Sequence, residues 1–367
     1  MIYLDNSATT KPREEVLETF VKASAQFYAN PASLHTLGNA AEDLLESARR
    51  QIAGSLQMDT VYFTSGGTEA NNLALFGVAH TYAHRGKHII TCVTEHPAVL
   101  NTALALERQG FEITRLPVDE GGHISLEDLQ QALRPDTILV SLMHVNNEIG
   151  TIHPIAEVSR LLAGKRIFLH VDAVQSAGKL ALPADAMPDL LTVSAHKLHG
   201  LKGSGILATN NVELAPVLHG GGQESGVRSG TVSVPHAAAF AKALRLATPS
   251  PDQRAWNNDL RTFLSTFERV KIVSPQGAAP HILAVAVRGV KGEVIVSGLQ
   301  QQGVVVSTSS ACSSKNTKTS HVIEAIRLPQ PYRNGVIRIS FGDFTNRTDI
   351  DKFKQAFQNV YEVIKGV

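Results

Sequence analysis

The chain has 367 residues, more than one hydrophobic core usually organises, and at ~150 residues per domain it predicts two domains, or three. Hydrophobic residues make up 43% and charged ones 18%, and 34 Lys plus Arg face 33 Asp plus Glu, which argues against disorder and against a net field that would draw nucleic acid or an anionic membrane. The opening "MIYLDNSATT" lacks the basic-then-apolar pattern of a secretory signal, and no window approaches ~18 uninterrupted apolar residues, so a soluble cytoplasmic protein is expected, with no membrane partner and no direct nucleic-acid partner.

From about Thr60 to Ala208 short apolar runs alternate with amphipathic stretches. "TVYFT", "KHIITCV", "FEITRL", "TILVSL", "RIFLHV", "LLTVSA" and "GILAT" predict strands. Between them, "HPAVLNTALALERQG" returns its leucines and alanines at helical spacing, with Pro97 in the first turn and Gly110 as the stop, and "SLEDLQQAL" opens on Ser125 with Asp128 three residues on, a variant of the capping box. The alternation predicts an α/β domain on a mostly parallel sheet, some antiparallel strands allowed, with ligands beyond the strand carboxyl ends. A Pro/Ser break at 249–251 marks a boundary, after which "PHILAVAV" and "NGVIRISF" read as strands and "VIEAIRL" and "DIDKFKQAFQNVYEVIKG" as helices, the last with Phe353, Phe357 and Val360 on one face. We therefore expect a large domain over 14–250 and a smaller α+β domain over 251–367 that the first 13 residues join.

Two cysteines, Cys92 and Cys312, are too few and too far apart for a disulfide framework or a zinc knuckle, and the scattered histidines suggest no metal site. Cys92 sits in an apolar strand and reads as packing, whereas Cys312 sits in "STSSACSSKNTKTS", where burial has little to recommend it. Lys197 follows the apolar "DLLTV" among Ser194, His196 and His199. It fits a surface or phosphate-contacting lysine, or a lysine whose pKa burial and neighbouring cations lower until its amine forms a Schiff base with an aldehyde. "TSGGTEANN" joins a strand to a helix, so Gly66, Gly67 and Thr68 form either a plain glycine turn or an anion site at a helix amino terminus. It lacks both the dinucleotide fingerprint and the nucleotide P-loop.

Asp172 ends a strand with Gln175 three residues on, which fits a helix cap with a solvent glutamine, or a carboxylate paired with a protonated ring nitrogen and an amide beside it. His96 fits a cap or a ring stacked on a flat ligand, and Arg338 a substrate carboxylate or a structural acid. Arg228, in the Gly-rich "HGGGQESGVRSGT", could bind an anion or stabilise a loop or subunit contact.

Taken in order, "YLDNSATT", "NPASLHTLG", "TSGGTEANN", "TEHPAV", "MHVNNEIGTI", "HVDAVQSAGK", "SAHKLHGLKGSG", "GGGQESGVRSGT", "SSACSS" and "IRISFG" resemble the marked segments of the NifS/IscS-like cysteine desulfurases, within the class V aminotransferase fold (fold type I of the pyridoxal-phosphate enzymes). That resemblance spans nearly the whole chain. It implies pyridoxal 5'-phosphate as cofactor, bonded by Lys197, with Asp172 on the pyridine nitrogen, Gln175 on the ring oxygen and His96 over the ring. Gly67, Thr68, Ser194 and His196 are implied at the phosphate, with Thr231 reaching it across a homodimer interface. Asn147, near the cofactor oxygen, and Arg338 are implied at the amino-acid carboxylate. Cys312, on a mobile loop at about 306–320, is the implied nucleophile, so that L-cysteine becomes L-alanine and its sulfur passes as a persulfide to an iron–sulfur scaffold protein or a tRNA-thiolation enzyme. Departures are Leu201 in place of a usual proline and the run Ser309-Ser310-Ala311-Cys312, which has Ser309 where the family often has Gly before the Ser-Ala-Cys triplet. A selenocysteine lyase, a cysteine or cystine β-lyase and a non-enzymatic sulfur carrier are the competing readings.

Overall fold

A computed structural model describes residues 1–181, 186–308 and 319–365. Cys312 lies outside the described residues, as does most of the loop in which the sequence places it. In chain order the strands are β1 (Ile2–Tyr3), β2 (Thr60–Thr64), β3 (His88–Cys92), β4 (Glu112–Leu116), β5 (Thr137–Met143), β6 (Phe168–Asp172), β7 (Leu190–Ser194), β8 (Gly205–Thr209), β9 (Val270–Ile272), β10 (Ile282–Val287), β11 (Val304–Val305), β12 (Ser307–Thr308) and β13 (Val336–Ser340).

Seven strands form one sheet in the order β2-β8-β7-β6-β5-β3-β4. Its neighbours from β7 to β4 are parallel, while β8 runs antiparallel to both β7 and β2. Strands β3, β5, β7 and β8 are buried at every position, the mark of a sheet covered on both faces. Period-2 alternation sorts the two sides. Ile89, Leu190 and Leu207 pack with Ala70, Leu73 and Ala74 of the helix Gly67–Tyr82, while Ile90, Leu191 and Ile206 face the opposite core with Ala237 and Phe240 of the helix Val234–Leu246.

The chain steps outward from β3 to β4 in one direction and from β5 through β6 to β7 in the other, so the connectivity reverses between β3 and β5. Ligands of such sheets sit beyond the carboxyl ends near that reversal. Because β8 is antiparallel to two neighbours, β2 points the same way as β7 and its carboxyl end joins the same edge. The entry of β8 into that edge needs glycine, since a Cβ on Gly205 would lie 2.5 Å from Gly66 backbone atoms.

A second, antiparallel sheet has the order β12-β13-β10-β9. Phe353, Phe357 and Val360 of the helix Arg347–Lys365 are buried in a core shared with β10 and β13, as their spacing predicts, each large side chain contributing ~2 kcal/mol of burial. The amino terminus is held there too: β1 pairs in parallel with β11, and Asp5 bridges to Ser340.

Candidate active site

Four turns at the carboxyl edge of the large sheet carry most of the predicted site. Asp172 is the last residue of β6 and is 6% exposed. Its Oδ2 accepts from Asn71 Nδ2 at 2.7 Å and its Oδ1 from the Val174 amide at 2.9 Å, so the carboxylate is fixed at both oxygens. Gln175 is buried, not a solvent glutamine; its Nε2 donates to the Ser7 carbonyl at 3.0 Å and its Oε1 has no partner among the described residues. Lys197 closes the short helical turn Ala195–Lys197 after β7, and its Nζ donates to the carbonyls of Ser7 and, at 2.8 Å, Ala8. One backbone oxygen, that of Ser7, thus receives both the lysine and the glutamine, and the Ser7 amide is itself pinned on Ser340 Oγ at 2.8 Å.

His96 caps the helix Pro97–Glu107, its Nδ1 accepting from the Ala98 amide at 3.1 Å, which leaves the proton of the neutral ring on Nε2. Burial holds its pKa below the ordinary value, Lys197 and His321 adding to the effect and Asp172 opposing it. His196 is pushed down to about 4 by burial and by Lys197, Lys202 and Lys179, so it too is neutral near pH 7; its Nδ1 lies 3.1 Å from Thr9 Oγ1.

Gly67, Thr68, Ser194, His196, Thr9 and Lys202 line a cleft of 390 Å³ at the amino terminus of the helix Gly67–Tyr82. Ser194 Oγ is buried there without a hydrogen-bond partner among the described residues, and a Cβ on Gly67 would meet Val174 Cγ2 at 2.9 Å. Helix amides, hydroxyls and a lysine suit a phosphate. One acid also lines the cleft, Glu69, but Arg228 (2.6 Å) and the Ser65 amide (2.8 Å) bond its carboxylate. Burial works to raise the Glu69 pKa, and these bonds outweigh it and hold it below the ordinary value. Of the alternatives open for Arg228, the structure shows a tie between the Gly-rich loop and the cleft wall. Thr231, exposed at the end of that loop, does not line the cleft.

Asn147 and Arg338 meet from different sheets. Arg338, on β13 and 3% exposed, donates from Nη1 to the Asn147 carbonyl at 2.8 Å and from Nη2 to Asp5 at 2.9 Å, while its Nε is buried without a partner among the described residues. The structural-acid alternative is therefore present as Asp5. Burial raises the Asp5 pKa, with Arg338 and Lys197 pulling against it.

Several participants escape sequence reasoning. Asn71 and Glu95 sit beside predicted residues, in "TSGGTEANN" and "TEHPAV", and a polar residue on an apolar helix face was the available signal for Asn71. Glu95 is 0% exposed, accepts from the Met143 amide at 2.8 Å, and is held well above the carboxylate range by burial, with Asp172 adding to it. Glu148 is pushed up to about 7 by burial despite a 2.6 Å bond from Ser320 Oγ and the nearby Arg338 charge. Cys92 is buried, 3.1 Å from Thr94 Oγ1, and burial with Glu95 pushes its thiol up to about 12, which makes it inert packing. Among the described residues no group of three or more His, Cys, Asp or Glu could hold a metal, and no helix is long and apolar enough to cross a membrane.

Asp172, Gln175 and His96, the amine of Lys197 and the anion cleft fit pyridoxal phosphate in kind: a carboxylate for a protonated nitrogen, an amine for an aldehyde, and, for the phosphate, helix amides with a Ser194 hydroxyl that has no partner among the described residues. Residues 2–353 match the family described as Aminotransferase class-V. The chain is 43% identical to a "NifS/IcsS protein homolog" of Lactobacillus delbrueckii subsp. bulgaricus, covering 99% of this chain and 97% of that one. It is 40% identical to a "Cysteine desulfurase IscS" of Dictyoglomus turgidum, covering 100% and 96%. A solved structure titled "NIFS-LIKE PROTEIN" superposes with a TM-score of 0.90 at 34% identity, covering 100% of both chains. The family match, the full-length sequence similarity and the superposition agree: the chain belongs to the class-V aminotransferase family, in its NifS/IscS-like group of cysteine desulfurases.

Proposed function

We propose that this chain is a cysteine desulfurase that uses pyridoxal 5'-phosphate to convert L-cysteine to L-alanine and receives the sulfur on Cys312. The observation that carries the residue assignment is the convergence of the Lys197 amine and the Gln175 amide on the Ser7 carbonyl beside a doubly bonded Asp172. When bound, the cofactor supplies an electron sink that acidifies the substrate Cα–H.

The protein's own residues do the rest. Lys197 would bond the cofactor aldehyde and, once displaced by the substrate amine, carry the Cα proton on Nζ. Asp172, oriented by Asn71 and Val174, would keep a proton on the ring nitrogen, and Gln175 would reach the ring oxygen. Neutral His96 would cover the ring, while Gly67, Thr68, Ser194 and His196 hold the phosphate. Asn147 and Arg338 would take the substrate carboxylate, Arg338 through a guanidinium already oriented by Asp5.

In the transfer the Cys312 thiolate attacks the substrate sulfur: an S–S bond forms, the Cβ–S bond breaks, and its electron pair is protonated at Cβ. L-cysteine and a thiolate thus become L-alanine and a persulfide anion with no external oxidant or reductant. The persulfide then passes to an acceptor, an iron–sulfur scaffold or a tRNA-thiolation enzyme. We further propose a homodimer in which Thr231 serves the partner's phosphate site, consistent with its exposure, and a division into a large domain at 14–250 and a small one from 1–13 and 251–367, consistent with the pairing of β1 and Asp5 beside β11 and β13. The test is mass spectrometry after exposure to L-cysteine. Equimolar alanine and one added sulfur on the Cys312 peptide are expected, both absent in Cys312→Ser; a Cys312→Ser protein labelled at residue 312 like the wild type would defeat the assignment.

A further inference from the structure

We infer that Ser320, held by Glu148, is a positioning residue for the sulfur-transfer step. It fixes the downstream end of the segment that carries Cys312 against the two turns that carry His96 and Asn147. This inference rests on the proposed role of Cys312 as sulfur acceptor.

The two turns form one locked unit. Asn146 Nδ2 donates to the Thr94 carbonyl at 3.0 Å, its Oδ1 accepts from the amides of Glu148 (2.9 Å) and Ile149 (3.0 Å), and Glu95 Oε1 accepts from the Met143 amide at 2.8 Å. The turn after β3 is therefore bolted to the turn after β5. Onto this unit dock two consecutive residues from the far side of the Cys312 segment. Ser320 Oγ donates to Glu148 Oε2 at 2.6 Å while accepting from the Val322 amide at 3.1 Å, and His321 Nε2 donates to the Glu95 carbonyl at 2.9 Å.

Ser320 stands eight positions after Cys312, and Thr308, four positions before it, is paired in β12 with Ile337, next to Arg338. A chain segment carries its side chains only as far as its fixed ends allow, at ~3.3–3.6 Å per residue, so where residue 320 is tied limits where the thiol can act. The upstream tie is a short sheet pairing, Ser307 with Arg338 and Thr308 with Ile337. The downstream tie is these two polar contacts together with the following helix, whose Val322 and Ile323 are buried in the large core. The shorter polar contact ends on a side chain, 7% exposed, that no step of the proposed chemistry uses. Burying a carboxyl group is costly unless it is bonded, which gives Glu148 a reason to be there: it accepts a short bond that selects one position for residue 320.

The experiment compares Ser320→Gly and Ser320→Thr in the cofactor-loaded enzyme. Glycine removes the donor to Glu148 yet remains a tolerable helix cap, whereas threonine keeps both hydroxyl roles. Losing this short buried hydrogen bond should slow single-turnover persulfide formation on Cys312 by about tenfold in Ser320→Gly, with Ser320→Thr near wild type. Cofactor occupancy, the KM for L-cysteine and the absorbance change on adding L-cysteine should stay as in wild type. Wild-type transfer by Ser320→Gly would overturn the inference, as would a parallel loss of cofactor and substrate binding, which would mark a merely structural contact. If the wild type makes no alanine from L-cysteine, the functional reading itself fails, and the two failures are distinguishable.

Discussion

The residues proposed for the cofactor and those proposed for the substrate carboxylate are built in different ways. Asp172, Ser194, Lys197 and His96 all stand within a few residues of the carboxyl ends of β3, β6 and β7, strands of one sheet whose only register shift on this path, between His88 and Ile89, lies at the far end of β3, so their relative placement comes with the sheet. Asn147 also belongs to that sheet's edge, but Arg338 lies on β13 of the other sheet and Asp5 on the amino-terminal segment, and the three meet through the Arg338 bonds to the Asn147 carbonyl and to Asp5. The difference teaches where damage should appear. A change on the cofactor side removes chemistry from a rigid frame, whereas a change on the substrate side also loosens the joint between layers, because an unpaired buried charge costs several kcal/mol.

The largest expected effect breaks the first half of that contrast. Lys197→Ala should lower alanine production by about 1,000-fold or more, and borohydride should no longer trap the cofactor on the protein. Because the lost ammonium bonds two carbonyls of a segment that β1, β11 and Ser340 also hold, folding should survive, with a thermal midpoint within about 5 °C of wild type. Activity within tenfold of wild type would show that the sheet edge does not position the reacting amine.

The substrate side should show itself in pH dependence, through Glu148. Its folded pKa, about 7, lies above the ordinary 4.5, with burial as the main cause and Ser320 and Arg338 opposing. A raised acid favours the fold fully below the unfolded value, and that contribution is lost as pH rises through the folded one. The stability difference between wild type and Glu148→Gln should therefore shift against wild type between pH 4.5 and 7, by roughly 3 kcal/mol, and level off above that window. Comparing the two proteins cancels the buried histidines, whose lowered pKa values give stability the opposite slope over pH 4 to 6.5. Parallel denaturation curves across the window would remove Glu148 from the buried joint.

How much of this could be read in the sequence follows the same division. The strands of the large sheet were legible because each is a short apolar run, and Lys197 and Asp172 because they interrupt or end such runs with a group the core would not otherwise accept. The parts that escaped are long-range or backbone in nature. The Ser7 and Ala8 carbonyls that hold Lys197 could belong to any residue type, and the Ser320 to Glu148 bond spans 172 positions. Arg338 was legible as a cation needing an anion, but which anion was not, since Asp5 is 333 residues away. The reading of Cys92 as packing is borne out by its burial in β3, whereas Cys312, set apart from it by its polar neighbours, lies outside the described residues.

The smallest expected effect sharpens the cofactor side, because it separates a residue's cost to the fold from its use. Ser194 is 1% exposed and its Oγ has no hydrogen-bond partner among the described residues, so in the cofactor-free chain burying it costs on the order of 1–3 kcal/mol that no group among those residues offsets. Ser194→Ala should accordingly leave the cofactor-free protein as stable as wild type, or more stable by up to ~1 kcal/mol. The same substitution should weaken pyridoxal 5'-phosphate binding by about tenfold, the worth of one bond to a charged oxygen, and leave the binding of pyridoxal, which has no phosphate, unchanged. Equilibrium titration of both ligands by absorbance, alongside thermal denaturation, reads all three quantities. A loss of stability would mean that the hydroxyl serves the fold, and equal weakening of both ligands would move it from the phosphate to the ring; only a phosphate-dependent loss on an undamaged frame fits a sheet edge that places its groups independently of what they bind.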